Sequence, residues 1–280
     1  MVESAFLRSI NIQLDVGHPE RLRHFRPTSK SGRFVSSLLQ DGGSALFVVA
    51  PYGSGKSITA GYVGHLVENL SSSESMLEAV EERIAGVDDT LHGVVRDRRM
   101  GDSRGLFVPM YGHAQSTPSG LKEGLLTAMR RCKMGRQAKS LERIETETAQ
   151  DVFELVSACS AKLDAAGYDR LVIVWDEFGR HLQGLISEGR PEELDVLQVL
   201  AEVVSRPASI PVSLGLLMHR SLLGYASGLP SGVRREWAKI EGRFETLQYV
   251  DDSSEMHELV GSLVSESRSV IDNGQNFQEL

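Results

Sequence analysis

The sequence has few of the features that assign a protein to a class at once. It has only two cysteines, Cys132 and Cys159, so we expect neither a disulfide framework nor a cysteine zinc site, and both thiols are interpreted as buried and reduced. No run of about 18 apolar residues occurs, and residues 1–15 lack the apolar core of a signal peptide. We therefore expect no membrane span and a cytoplasmic protein.

Charge of one sign is not in large excess either. The chain has 30 Lys and Arg against 38 Asp and Glu, a formal net charge of −8, so no strong overall field attracts it to nucleic acid or anionic lipid. A local basic cluster leaves nucleic acid open as a partner, although such clusters are more often solvated surface; it consists of Arg130, Arg131, Lys133, Arg136 and Lys139. With 280 residues, 41% of them hydrophobic, the chain can bury a large core.

Short apolar runs alternate with helical patterns along most of the chain. Runs typical of buried strands lie at 45–50, 106–111, 171–175, 211–217 and 246–250. Helical stripes lie at about 34–39, 63–70, 77–87, 119–131, 149–166, 191–205 and 253–266. This alternation predicts an α/β fold with a mostly parallel five-stranded sheet and helices on both faces. Pro109 places the strand at 106–111 at an edge or a bulge.

Three segments do not fit this alternation. Residues 88–104 carry many charges and little periodicity, and we interpret them as part of a surface insertion spanning about 71–104. Residues 133–148 are polar and predict a loop or an exposed helix, a second insertion. The last ten residues, 271–280, are interpreted as a polar tail.

A glycine-rich turn follows the first strand run. Residues 50–57 read Ala-Pro-Tyr-Gly-Ser-Gly-Lys-Ser and precede an amphipathic helix pattern. Gly53 and Gly55 permit a tight turn whose N–H groups point inward at anionic oxygens, and the helix start adds positive potential. Lys56 would meet the β- and γ-phosphates of a nucleotide, and Ser57 would offer its hydroxyl to Mg²⁺. Except for Ala50 at the first glycine, the segment matches the phosphate-binding loop pattern, and the predicted nucleotide-binding residues are Tyr52, Gly53, Ser54, Gly55, Lys56, Ser57 and Ile58.

A second acidic motif follows the apolar run at 171–175, where Asp176 and Glu177 stand at the predicted carboxyl end of a strand. Ligands bind at that edge of an open α/β sheet. We expect Asp176 to face Mg²⁺, together with Ser57, from the strand adjacent to the loop strand. Glu177 would polarise the water that attacks the γ-phosphate, with Lys56 neutralising charge.

The two motifs together resemble those of the AAA-plus and STAND branches of P-loop ATPases, within the ASCE group. The resemblance implies a three-layer P-loop NTPase fold, with a P-loop ATPase domain at 44–270 behind an N-terminal segment at 1–43. It also implies an extra strand between the two motifs, which we assign to 106–111. A helical lid follows the last strand in this family. Only the helix at about 253–266 remains for it, so the lid is abbreviated or absent, or the chain is the N-terminal part of something longer.

The resemblance implies two further site residues. A polar sensor ends the strand after the acidic motif, and His219 is the candidate. An arginine finger precedes the last strand, and Arg243 in Gly-Arg-Phe would reach the γ-phosphate of a neighbouring copy in a homo-oligomer. Arg234 and Arg235 are rival candidates. By analogy, Phe25 and Arg26 would contact adenine.

Several functions fit these residues. The first is Mg²⁺-dependent ATP hydrolysis by an AAA-plus-like motor or remodelling module acting on a macromolecule. The second is a STAND-like switch with slow hydrolysis, of the kind found in bacterial defence-type systems. The third is a scaffold that binds nucleotide without turnover, which Glu177 argues against. A nucleotide kinase with an arginine-rich lid at 96–104 is a weaker fourth.

Overall fold

The apolar runs form the strands of one sheet. The computed structural model describes residues 10–85, 88–206, 209–249 and 261. Its strands are β1 (Ser44–Val49), β2 (Arg104–Tyr111), β3 (Tyr168–Asp176), β4 (Val212–Met218) and β5 (Glu245–Gln248). Their order is β2-β3-β4-β1-β5, and each neighbouring pair is parallel. The predicted α/β fold with a five-stranded parallel sheet is therefore confirmed.

The positions of the strands correct two expectations. Asp176 does not lie on the strand adjacent to β1, because β4 pairs with β1 on one side and with β3 on the other. The strand at 106–111 is present as β2 at the edge of the sheet, as Pro109 predicted, but it does not lie between the two motif strands, where the resemblance had placed it; β4 does. All seven residues of β4 are buried, which suits its central position.

Helices cover both faces of the sheet. Five pack their buried residues on one face: α1 (Ile12–Asp15), α2 (Ser29–Leu39), α3 (Lys56–Glu68), α4 (Glu74–Ile84) and α5 (Asp89–Met100). Those on the other face are α6 (Thr117–Arg131), α7 (Gly135–Leu141), α8 (Ala149–Asp164), α9 (Phe178–Ser187), α10 (Asp195–Ser205), α11 (Leu222–Tyr225) and α12 (Ser231–Glu241). Short 3₁₀ turns occur at 19–22, 71–73, 191–194 and 226–228. Within the described ranges, no helix has the length and apolar character needed to cross a membrane.

The two cores are separated by the sheet itself. Alternate residues of β3 face opposite sides, with Ile173 and Trp175 in the core under α6 to α12 and Val172 and Val174 in the core under α1 to α5. Every one of them is at most 3% exposed. Burial of this kind on both faces holds the carboxyl ends of the strands in a fixed relation to each other.

The segment at 88–104 is not a loose surface insertion. It forms α5, whose Leu91 and Val95 are buried in the core and whose Arg98 is 8% exposed. Only two of the buried residues of α5 are apolar, and the third is an arginine. The hydrophobic periodicity of the segment is therefore weak. Residues 133–148 do contain a short helix, α7, in which Ala138 and Leu141 are buried.

Besides α5, two helices of ten or more residues have no counterpart among the predicted ones. The first, α9, starts directly after the acidic motif and buries Phe178, Leu182 and Leu185, a spacing of four and three residues that is visible in the sequence. The second, α12, buries only Trp237 and Ile240, too few to form a recognisable stripe.

The chain divides into two compact units, residues 1–249 and 250–280, and the features above belong to the first. The helix predicted at about 253–266 and the tail at 271–280 fall in the second unit and, apart from Gly261, lie outside the described residues.

Candidate functional site

Three chain segments meet where β1, β3 and β4 end. The register pairs Val49 with Met218 and Trp175 with Leu216, so the three strands finish at the same edge of the sheet. The loop at 50–55 leaves β1 there, and its Ala50 N–H donates to the Met218 carbonyl at 3.1 Å. The acidic motif leaves β3 and His219 leaves β4 at this edge. The topology thus brings together residues that are far apart in the sequence.

The loop after β1 has the backbone that an anion site needs. Gly53 (φ 74°) and Gly55 (φ 90°) are left-handed, a conformation that favours glycine. A Cβ on Gly53 would meet no atom within 4 Å, so backbone conformation rather than space calls for glycine there. Gly55 is the N-cap of α3, so the first N–H groups of the helix, those of Lys56, Ser57 and Ile58, point into the loop region. Such a helix start attracts phosphate.

Lys56 lies in the centre of this loop. Its side chain is folded inward, and Nζ donates to the Ala50 carbonyl at 2.7 Å and the Pro51 carbonyl at 2.9 Å, with the Ser54 hydroxyl at 3.3 Å. Burial lowers the pKa of Lys56, and the nearby carboxylates of Asp176 and Glu177 oppose that shift. The ammonium group is therefore close to both acids.

Asp176 is 2% exposed at the end of β3. Its Oδ1 accepts from the Glu177 N–H at 2.8 Å, whereas Oδ2 is buried and, within the described part of the chain, has no hydrogen-bond partner. Burial raises the pKa of Asp176, and its interactions with the Ser57 side chain and the Glu177 N–H oppose this. Asp176 and Ser57, the two predicted metal ligands, are thus in the same place.

This pair of oxygens fits Mg²⁺. A buried, unpaired carboxylate oxygen is costly unless a cation or a donor satisfies it. Mg²⁺ typically takes one or two protein oxygens and completes its shell with phosphates and water. Among the described residues there is no group of three or more His, Cys, Asp or Glu that could hold a metal ion.

Glu177 is held by two side chains. His219 Nε2 lies 3.2 Å from each of its carboxylate oxygens, and the Arg180 Nε lies 3.5 Å from Oε2. Because an ionised carboxylate only accepts, we assign the His219 proton to Nε2. Glu177 itself has φ 54°, a left-handed conformation that costs a non-glycine residue about 1 kcal/mol or more.

Three contacts around this acid are not evident from the sequence. The ring of Tyr52 stacks on His219 with centroids 3.4 Å apart. The Tyr225 hydroxyl lies against the backbone of His219 and Arg220, which lowers the Tyr225 pKa, although burial, the larger effect, raises it. A Cβ on Gly179 would come within 2.0 Å of that hydroxyl oxygen, so only glycine permits this approach. Gly179, two residues after Glu177, is the one sequence signal for this packing.

A second wall of the loop is formed by the end of β5. The Tyr249 hydroxyl lies 2.7 Å from the Thr59 hydroxyl oxygen, and Thr59 in turn donates to the Gly55 carbonyl at 3.0 Å. Lys30 of α2 lies over the Tyr249 ring, 4.7 Å from its centroid. These residues brace Gly55 from the side opposite to Asp176, and none of them was among the predicted site residues.

Other candidate residues lie elsewhere. Arg243 precedes β5 and pairs with Glu202 at 3.0 Å. Because β5 runs parallel to β1, the start of β5 lies at the end of the sheet opposite to the loop, which follows the end of β1. Arg234 and Arg235 are exposed on α12. Phe25 is 5% exposed and packs on Tyr62 in the core. It is therefore not open to a nucleotide, contrary to the expected contact with adenine.

Two charged segments are also largely committed to the fold. In the basic cluster, Arg131 forms a two-point ion pair with Glu68 and Arg130 pairs with Glu142, while Lys133, Arg136 and Lys139 are exposed. Within 96–104, three of the four arginines are not available as a lid, because Arg98 is buried against Asp169, Arg99 pairs with Glu81, and Arg104 begins β2 at the opposite edge; Arg96 is exposed.

In comparisons of the sequence with known proteins, no family model matches the chain and no curated protein matches it.

Proposed function

We propose that the chain is a Mg²⁺-dependent ATPase of the AAA-plus and STAND type, with its site at the carboxyl ends of β1, β3 and β4. The observation that carries this proposal is the meeting of Lys56 and Ser57 with Asp176, whose strand is separated from β1 by β4. A chance glycine-rich turn has no reason to face a buried carboxylate from another strand. The extra strand that the resemblance implies between the two motifs would then be β4, and not the strand at 106–111 to which the sequence assigned it.

Each residue has a role that its surroundings support. ATP with Mg²⁺ supplies a triphosphate whose terminal phosphoryl group is transferred to water. Lys56 exchanges the carbonyls of Ala50 and Pro51 for phosphate oxygens, a stronger partner for an ammonium group. Ser57 and Asp176 hold the metal, and Glu177 takes the proton of the attacking water.

The direct experiment measures nucleotide binding and phosphate release on the same samples. We expect the wild type to bind ATP and release phosphate only with Mg²⁺. Lys56→Ala should lose binding, because the buried cation is the main charge facing the phosphates. Glu177→Gln should keep binding and lose turnover by about a hundredfold or more. Lys239→Ala, at an exposed lysine on α12, is the matched control and should resemble the wild type.

The outcomes separate the candidate functions. No ATP binding by the wild type would refute the proposal. Binding with equal, negligible turnover in the wild type and Glu177→Gln would indicate a nucleotide-binding scaffold instead. Adding DNA or RNA to the assay tests whether the exposed Lys133, Arg136 and Lys139 make nucleic acid a substrate, in which case turnover should rise.

A switch with slow hydrolysis is the second candidate, and the state of Glu177 favours it. His219 and Arg180 both point a donor at its carboxylate, and these contacts compete with an attacking water for the carboxylate oxygens. A switch predicts tight retention of ATP and very slow turnover until a partner binds. Fast steady-state hydrolysis by the isolated chain would exclude it and favour a motor or remodelling module.

A further inference from the structure

Tyr52 is exposed but not free in its orientation. The residue has 72% of its surface accessible, yet its ring lies 3.4 Å from the His219 ring, centroid to centroid, at an interplanar angle of 30°. Stacking restricts a side chain that would otherwise sample several rotamers in a loop bounded by glycines. The partner of the stack is the residue that contacts Glu177.

The hydrogen bonds of the His219 ring constrain it at one nitrogen only, within the part of the chain that the structure describes. Its Nε2 is shared between the two oxygens of Glu177, at 3.2 Å each. In many sites the second ring nitrogen is hydrogen-bonded, and that bond sets the orientation of the imidazole. Here Nδ1 is buried and, in the part of the chain that the structure describes, lacks a hydrogen-bond partner. The stack with Tyr52 on the face of the ring is therefore a second constraint on its orientation.

We propose that Tyr52 is a positioning residue that orients Glu177 through His219, rather than a residue that only lines the nucleotide pocket. This inference rests on the proposed ATPase function. The stack fixes the plane of the imidazole of His219. The imidazole in turn orients the carboxylate of Glu177, which must accept the proton of the attacking water. Tyr52 belongs to the same loop as Lys56, so the orientation of Glu177 depends on the conformation of the phosphate-binding loop.

The kinetic test compares four variants: Tyr52→Ala, Tyr52→Phe, His219→Ala and the double variant Tyr52→Ala/His219→Ala. Loss of the stack should lower kcat about three- to tenfold, with little change in the KM for ATP. Tyr52→Phe keeps the ring and should recover most of the lost kcat. The double variant should be no slower than His219→Ala alone, because Tyr52 acts only through His219. Met100→Ala, an exposed apolar side chain on α5, controls for loss of surface area.

A readout independent of turnover is the NMR spectrum of the His219 ring. Removing the aromatic face in Tyr52→Ala should weaken the hydrogen bond from His219 Nε2 to Glu177 and so change the ¹⁵N resonances of the ring, whereas Tyr52→Phe should preserve them. Unchanged resonances in Tyr52→Ala would overturn the inference. So would a rise in KM alone, or additive losses in the double variant. If the wild type releases no phosphate, both proposals fail; if it does and Tyr52→Ala matches it, only this inference fails.

Discussion

Asn69 and Arg98 cap the C-terminus of each other's helix. Asn69 ends α3 in a left-handed conformation, and its Nδ2 donates to the carbonyls of Arg98 (3.0 Å), Arg99 (3.2 Å) and Gly101 (3.0 Å) at the end of α5. Arg98 returns bonds from Nε to the Leu66 carbonyl at 3.2 Å and from Nη2 to the Val67 carbonyl at 2.5 Å. These are carbonyls that a helix end leaves unsatisfied. The exchange joins α5 to α3, the helix that begins at the glycine-rich loop of the candidate site.

Removing Arg98 should therefore destabilise the whole unit. Arg98→Met keeps most of the buried volume but leaves carbonyls of α3 without their donor and leaves the Asp169 carboxylate paired only with Arg170 among its two arginine partners. We expect the free energy of unfolding, measured by urea denaturation, to fall by about 3 kcal/mol. Arg96→Met on the exposed side of α5 is the control and should change it by less than about 0.5 kcal/mol. Equal effects of the two variants would contradict the mutual capping.

The close approach of Tyr225 to Gly179 gives a second prediction. In Gly179→Ala the new methyl group would collide with the Tyr225 hydroxyl and displace it from the backbone beside His219. We expect a loss of about 1–3 kcal/mol in unfolding free energy, together with reduced ATP turnover. Gly93→Ala in the middle of α5 is the matched control, because a Cβ there meets nothing within 4 Å.

The two alanine variants should differ in sign. Gly93→Ala should stabilise by roughly 0.5–1 kcal/mol through helix propensity. Adding Tyr225→Ala to Gly179→Ala should restore part of the lost stability, since it removes the colliding ring. Strictly additive losses in that double variant would show that the collision is not the cause.

Buried histidines should make the protein sensitive to acid. Burial lowers the pKa of His65 to about 4 from 6.5, with a smaller contribution from Arg131. Between these values the unfolded state binds more protons than the folded state, so stability is full above pH 6.5 and falls as the pH drops toward 4. At pH 5 this one residue should cost about 2 kcal/mol.

The test is the pH dependence of the unfolding free energy between pH 7 and 5. His65→Gln should flatten it, because Gln has no proton to gain and can still bond Ser73, now 2.9 Å from His65 Nδ1. His24→Gln, at an exposed position, controls for the loss of a histidine. The slope that remains should come in part from His181, whose pKa burial also lowers to about 4. An unchanged slope in His65→Gln would argue against the prediction.

Arg243 and Glu202 together test the arginine-finger hypothesis. If Arg243 acts on a neighbouring copy, it must leave Glu202, with which it is paired at 3.0 Å. Arg243→Ala should then reduce turnover while Glu202→Ala does not, and turnover per chain should rise with protein concentration. If the pair is only a surface contact, both variants should leave turnover unchanged and cost less than about 1 kcal/mol of stability.

Much of the fold follows from local patterns. The five apolar runs become five strands, and Pro109 lies on the edge strand because a residue without an N–H cannot serve a central ladder. The α5 segment escaped prediction because Arg98, a charged residue, fills an inner position through hydrogen bonds to Leu66 and Val67 that no periodicity reveals. Residue patterns also do not reveal the hydrogen bond between Tyr249 and Thr59, which are far apart in the sequence and pack beside the loop.

The sequence by itself determined which groups are available for chemistry: a glycine turn with Lys56 and Ser57, and an acidic pair after a buried strand. These are local features, set by backbone freedom at Gly53 and Gly55 and by the burial of 171–175. Only the tertiary structure decided that β4 separates the two motif strands, that Asp176 nevertheless meets Ser57, and that Tyr52 lies on His219. Strand order and side-chain contact depend on packing between distant segments, and the spacing of residues along one segment does not encode them.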